Sequence, residues 1–122
     1  MVEVICDTSF LIHLSTRRIR NLDSINTEIG QTEFMVPFVV LNELEKLSKT
    51  QNKKQDAIIT LEFARSLKTI SITGKFADYA IIKHVKKHGG IIATMDKELK
   101  SKIKNLGGSV MSFSNDKIVL ES

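Results

Sequence analysis

The chain has 122 residues, 42% hydrophobic and 26% charged, with a formal net charge of +4 and one cysteine. Such a chain buries roughly two-thirds of its unfolded surface, and its composition excludes disorder, collagen-like repeats and a disulfide framework, with the lone Cys6 fitting a reducing compartment. No apolar run approaches the ~20 residues of a membrane span and Met1 to Cys6 lacks the makings of a signal peptide, so one cytoplasmic domain over residues 1–122 is expected.

Val2 to Cys6 reads as a short buried strand. Phe10 to Leu14 and Leu22 to Ile29 carry helical spacing, with Arg17, Arg18 and Arg20 between them. Phe34-Met35-Val36 reads as a second strand, stopped by Pro37. Phe38 to Leu47 is an amphipathic helix, followed by a Lys-rich polar stretch from Ser48 to Gln55. Ala57 to Leu67 is the clearest helix, with Ile59, Phe63 and Leu67 on one stripe. Ile70-Ser71-Ile72 reads as a strand closed by Gly74, and Ala77 to His88 as a helix ended by Gly89-Gly90. Ile91 to Met95 is another buried strand, Lys97 to Leu106 a basic helix, and Ser109 to Phe113 and Ile118 to Leu120 terminal strands. Strands separated by helices predict an α/β fold with right-handed crossovers and a mainly parallel central sheet between helix layers.

Of the 14 acids, four stand where solvation does not explain them. Asp7 follows the first strand directly and Asp96 follows Ile91 to Met95, so both sit at the carboxyl edge of a parallel sheet, where ligand crevices open. Glu43 has Val39, Val40 and Leu47 at i−4, i−3 and i+4, which places it on its helix's apolar stripe. Asp78 repeats the pattern with Ile81, Ile82 and Val85. Each has a bland reading. Asp7 and Asp96 suit a turn or helix cap, Asp78 a helix start, and Glu43 an ion pair with Lys46. Burying unpaired carboxylates costs several kcal/mol apiece, and if they converge, each like-charge pair at ~5 Å costs on the order of 3 kcal/mol. An all-oxygen cluster of this kind selects hard divalent cations, Mg²⁺ or Mn²⁺. A water acidified by such an ion attacks a phosphodiester in line.

Taken in order, Cys6 to Ile12, Val36 to Leu47, Ala77 to Ile82 and Ala93 to Leu99 resemble the PIN-domain ribonucleases, and the resemblance runs across nearly the whole chain. It implies a three-layer α/β/α sandwich and Mg²⁺- or Mn²⁺-dependent cleavage of single-stranded RNA, with one or two ions. It also implies that Asp7, Glu43, Asp78 and Asp96 are the catalytic metal ligands. Ser9 and Thr94 fall on the family's supporting hydroxyl positions. Many relatives carry a second acid directly after the third motif's Asp; here that residue is Tyr79, and Glu98 is a weaker auxiliary acid. Pro37 to Leu47 with its Lys-rich sequel resembles archaeal ribosomal-RNA-processing PIN proteins. Toxin-type VapC ribonucleases share the same acids, and a toxin role brings an antitoxin partner.

The cations fall in blocks. Arg17, Arg18 and Arg20, and Lys46 with Lys49, Lys53 and Lys54, follow the segments carrying Asp7 and Glu43 and are the candidate RNA-binding residues. Lys83-Lys86-Lys87 and Lys97 to Lys104 read more simply as solvated faces. Tyr79 suits stacking on a base or packing at a subunit contact, such as a homodimer. No glycine-rich phosphate loop is present. His84 and His88 read as surface residues, and Cys6 as a core thiol. The primary expectation is a metal-dependent endoribonuclease, with a catalytically impaired RNA-binding scaffold as the alternative from another class and a phosphoacceptor receiver domain as a weaker one.

Overall fold

A computed structural model describes residues 2–17, 31–50, 52 and 54–121. The predicted helix over 22–29 lies outside them, as do Arg18, Arg20 and Lys53. The described elements are β1 (Val2–Cys6), α1 (Thr8–Thr16), β2 (Thr32–Pro37), α2 (Phe38–Leu47), α3 (Lys54–Arg65), β3 (Lys68–Ile70), α4 (Ala77–His88), β4 (Ile91–Ala93), α5 (Lys97–Asn105), β5 (Ser109–Ser114) and β6 (Lys117–Glu121).

The strands form one six-stranded sheet in the order β3-β2-β1-β4-β5-β6. All neighbours pair in parallel except the terminal β5–β6 hairpin. Helices α1, α2 and α3 pack together, and α4 packs on α5, giving the three-layer α/β/α sandwich. Central strands buried on both faces must be apolar throughout rather than alternating. Accordingly Val4, Ile5 and Cys6 of β1, Ile92 and Ala93 of β4, and Val110 and Met111 of β5 are all buried. Phe10 of α1 stacks on Phe113 of β5 with centroids 4.7 Å apart, so the first helix is pinned over the far half of the sheet. Burial also pushes the Cys6 thiol up, which keeps it a protonated core residue.

The order of strands places the site. From β1 the chain runs outward through β2 and β3, then returns to lay β4 on the other side of β1. At such a reversal the connections leave in opposite directions and a crevice opens beyond the strand ends. Asp7, one residue past β1, donates its backbone N–H to Ala93 O at 2.8 Å and so joins the two strands at that edge.

Several element boundaries differ from the sequence reading. β3 occupies Lys68–Ile70 rather than 70–72, because its ladder with β2 runs Met35–Lys68, Val36–Thr69 and Pro37–Ile70. Pro37 is the last residue of β2 and has no N–H to extend the pairing. Ile72 turns aside, and its carbonyl accepts the Val39 N–H at 3.0 Å, satisfying one free amide at the start of α2. β4 ends at Ala93 instead of Met95 because residues 94–96 turn to bond the site. α3 begins at Lys54 and ends at Arg65, earlier at both ends than the apolar stripe suggested.

Glu121 locks the other edge. It accepts Lys100 Nζ at 3.1 Å and Lys104 Nζ at 2.9 Å, and the Ser112 hydroxyl donates to it, tying α5 to the β5–β6 hairpin. These partners, the Ser112 bond first, lower its carboxyl from 4.5 to about 2. A depressed folded pKa stabilises above the unfolded value and is lost as pH falls through the folded one. Glu121→Gln should therefore cost about 1–2 kcal/mol at pH 7. In denaturant titrations, the gap between variant and wild type should close as pH falls from 4.5 towards 2.

Candidate active site

Four carboxylates line one cleft of about 570 Å³ at the carboxyl edge of the sheet: Asp7, Glu43, Asp78 and Asp96. They come from the junction after β1, from α2 and α4, and from the turn after β4, so the fold gathers residues separated by most of the chain. They are not equivalent.

Asp7 is the floor. It is only 8% exposed, and its Oδ2 accepts the Thr94 hydroxyl at 2.9 Å and the Ser9 hydroxyl at 3.2 Å. Ser9 has one proton to divide between Asp7 and the Thr94 hydroxyl 3.3 Å away. Both hydroxyls also accept backbone donors: Met95 N–H reaches Ser9 at 3.0 Å and Asp96 N–H reaches Thr94 at 3.1 Å. Burial raises the Asp7 carboxyl above its ordinary range, the Thr94 and Ser9 hydroxyls oppose the rise, and the Asp96 charge adds to it. The two supporting residues thus brace Asp7. Thr94 is fully buried beneath the cleft, while Ser9 reaches its wall.

Glu43 is half-buried, with Val39 and Val40 packed in the core beneath it, as its place on the stripe predicts. Its carboxyl is raised first by burial and then by the charges of Asp7 and Asp78. The Thr8 hydroxyl faces it and favours the charged form, yet Thr8 Oγ1 is buried without a hydrogen-bond partner.

Asp78 departs from expectation. The buried stripe of α4 is Ala77, Ile81 and Val85, one residue off Asp78, which is exposed at the cleft rim in the first helical turn. Its Oδ1 accepts the Tyr79 backbone N–H at 2.9 Å. Asp96 combines two roles: it lines the cleft, and its Oδ1 caps α5 by accepting Glu98 and Leu99 N–H at 2.9 and 3.2 Å.

Among the described residues, no Lys, Arg or His forms an ion pair with any of the four. The Glu43–Lys46 pair that sequence spacing allowed does not form. Nor, among the described residues, does any group of three His, Cys, Asp or Glu side chains stand close enough to hold a metal ion. The acids sense one another's charge without closing on a common point. Glu98 does not line this cleft; it pairs with Lys102 at 3.2 Å, and both line a smaller pocket with Asp78 and Asp96. The His84 and His88 rings lie 4.7 Å apart on α4, inclined at 40°, and neither lines the carboxylate cleft.

Lys46 lines the carboxylate cleft and, with Lys49, an adjoining cavity of about 320 Å³. Arg17 and Lys54 are exposed and line neither cavity. Two cleft residues escaped the sequence reading, Lys75 and Phe76, and Lys75 also lines the second cavity. The available signal was their place immediately before the helix that carries Asp78.

An α/β/α domain with a carboxylate cleft at its strand reversal is the class this geometry defines. The model of a family described as a PIN-like domain matches residues 4–115, and the chain belongs to that family. It is 31% identical over 113 residues to Ribonuclease VapC4 of Methanocaldococcus jannaschii, covering 84% of this chain and 83% of the relative. It is 29% identical over 117 residues to Ribonuclease VapC9 of Archaeoglobus fulgidus, covering 94% and 85%. Its fold matches the structure of the PIN domain endonuclease Utp24 with a TM-score of 0.80 at 30% identity, over 98% of this chain and 90% of that one.

The raised Asp7 and Glu43 carboxyls carry a stability consequence opposite in sign to that of Glu121. The folded state holds their protons more tightly than the unfolded state does, so each loses stability as pH rises from the unfolded value through the folded one. In EDTA at pH 7.5, Asp7→Asn and Glu43→Gln should each melt higher than wild type, by about 4 °C for a gain of about 1 kcal/mol. Differential scanning calorimetry reads this directly, and unchanged or lower melting in both variants contradicts it.

Proposed function

We propose that this protein is a Mg²⁺- or Mn²⁺-dependent endoribonuclease acting on single-stranded RNA, with Asp7, Glu43, Asp78 and Asp96 as its catalytic and metal-holding residues. The observation that carries the reading is that four carboxylates share one cleft and, among the described residues, none is paired with a basic side chain. Four carboxylates in one cleft repel one another unless a cation offsets their charge. The donor set is all oxygen, which suits a hard divalent ion. The buried, unpartnered Thr8 hydroxyl beside Glu43 supplies one more oxygen to such a site or its waters. The residues therefore fit the ion.

When bound, the ion neutralises phosphate charge and acidifies water. The chain's own residues prepare the site. Thr94 and Ser9 hold Asp7 in one orientation from beneath, so its charge does not have to be ordered during the reaction. Glu43 presents its carboxylate from α2, and Asp78 and Asp96 line the same cleft. Lys46 and Lys75 at the mouth draw the phosphodiester over the acids that would otherwise repel it. Hydrolysis places water across the P–O3′ bond, leaving a 5′-phosphate and a 3′-hydroxyl.

The relatives named Ribonuclease VapC4 and VapC9 favour, as a second reading, a toxin-type ribonuclease held by an antitoxin. The PIN domain endonuclease Utp24 supports the endonuclease chemistry common to both readings, and the primary one, a role in ribosomal-RNA processing, rests on the resemblance of Pro37 to Leu47 and its Lys-rich sequel.

End-labelled single-stranded RNA incubated in Mn²⁺, Mg²⁺ and EDTA, beside Asp7→Asn, tests the activity. Cutting should require a divalent ion and fall roughly 100-fold or more in the variant, as when a preorganised charge-stabilising group is lost. RNA that binds yet stays intact in every lane would favour the scaffold.

A further inference from the structure

Two exposed aromatic rings, Phe76 in the wall of the cleft and Tyr79 beside it, add little to the core. Phe76 is 56% and Tyr79 73% exposed, while α4, which Phe76 precedes and Tyr79 belongs to, is anchored through Ala77, Ile81 and Val85. Their centroids lie 6.4 Å apart with the planes inclined at 53°, so the rings do not cover each other face to face. Phe76 walls the carboxylate cleft, and Tyr79 directly follows Asp78. Lys75 Nζ stands 5.7 Å from the Phe76 ring centroid. The same lysine joins Asn42, Lys46 and Lys49 around the adjoining cavity. Gly74 sets the approach: at φ +156° it carries the chain so close to α4 that a Cβ there would meet Ala80 Cβ at 3.3 Å.

Exposed rings beside a row of cations match what an unpaired strand offers, flat base faces alternating with phosphates. A duplex keeps its base faces stacked inside and has nothing to lay on these rings. The neighbouring lysines supply charge complementarity to RNA, and Phe76 makes the patch continuous with the cleft.

We propose that Phe76 and Tyr79 form a stacking platform for unpaired nucleobases flanking the phosphodiester in the carboxylate cleft, with Lys75 taking an adjoining phosphate. The proposal rests on the ribonuclease reading of that cleft and adds the feature that selects single strands over duplexes.

Tyr79 is the chain's one tyrosine and tryptophan is absent, so tyrosine emission reports on the platform alone. Asp7→Asn protein in Mg²⁺, which should hold RNA uncut, is titrated with oligoadenylate RNA and with an abasic oligomer of equal phosphate count. Saturable quenching by the RNA and little by the abasic chain is expected. In the same background, anisotropy of labelled RNA should show roughly ten-fold weaker binding for Phe76→Leu and for Tyr79→Ala, with Tyr79→Phe retaining affinity. Both positions are exposed, so melting temperatures should not move. In the wild-type background the two weakening variants should raise KM with kcat nearly unchanged, the mark of binding lost equally from ground and transition states. Equal quenching by the abasic oligomer, or unaltered RNA affinity in both variants while wild type still cuts, would overturn the platform and leave the nuclease standing. A changed oligomeric state with unaltered RNA affinity would assign the rings to a protein contact and overturn it too. Wild type that neither binds nor cuts RNA would remove both.

Discussion

The site depends on how Asp7 is held. A carboxylate nearly closed off from solvent is costly unless its oxygens are bonded, and here Thr94 and Ser9 bind Oδ2 while Met95 and Asp96 amides bind those hydroxyls in turn. This web spans the seam between β1 and β4, where the strand order reverses. It fixes Asp7 and shapes the turn that carries Asp96, so a loss at Thr94 would be felt at both acids. The same bonds end β4 at Ala93: residues that would have continued the strand are turned to serve the cleft.

Around this floor the charges are segregated. Acids line the cleft, with lysines among its lining and in the cavity beside it. Such an arrangement accommodates a polyanion only when something positive offsets the acids, which makes a divalent cation and RNA natural joint occupants. Elsewhere cations are partly matched: Lys100 and Lys104 with Glu121, Lys102 with Glu98, Lys68 with Glu33. The lysines lining the cleft and adjoining cavity form no ion pairs among the described residues, so their charge remains available to phosphate.

Much of this was legible in the chain. Continuous apolar runs identified the central strands because those strands are buried on both faces. Glu43 could be placed because a carboxylate between Val39, Val40 and Leu47 breaks a helical pattern. The spacing of Ile81, Ile82 and Val85 puts Asp78 on the buried stripe although it belongs to the rim, because near a helix start a residue one position off the stripe has apolar neighbours at similar spacings. Asp96 illustrates the converse, since its bland role as a helix cap and its place in the cleft are both real. β3 was displaced by two residues because Pro37, acting across the sheet, ended a ladder that local hydrophobicity extended to Ile72. Lys75 and Phe76 were missed because their value comes from the Gly74 turn and its approach to the cleft, which no periodicity records.

Direct counting of bound Mn²⁺ tests whether the four carboxylates share a divalent cation. Loss of the free-ion electron paramagnetic resonance signal, followed on adding protein, should show saturable binding by wild type that weakens at least roughly ten-fold in Asp7→Asn and in Glu43→Gln. Mn²⁺ that stays free, or that binds both variants as tightly as wild type, would contradict a shared carboxylate site.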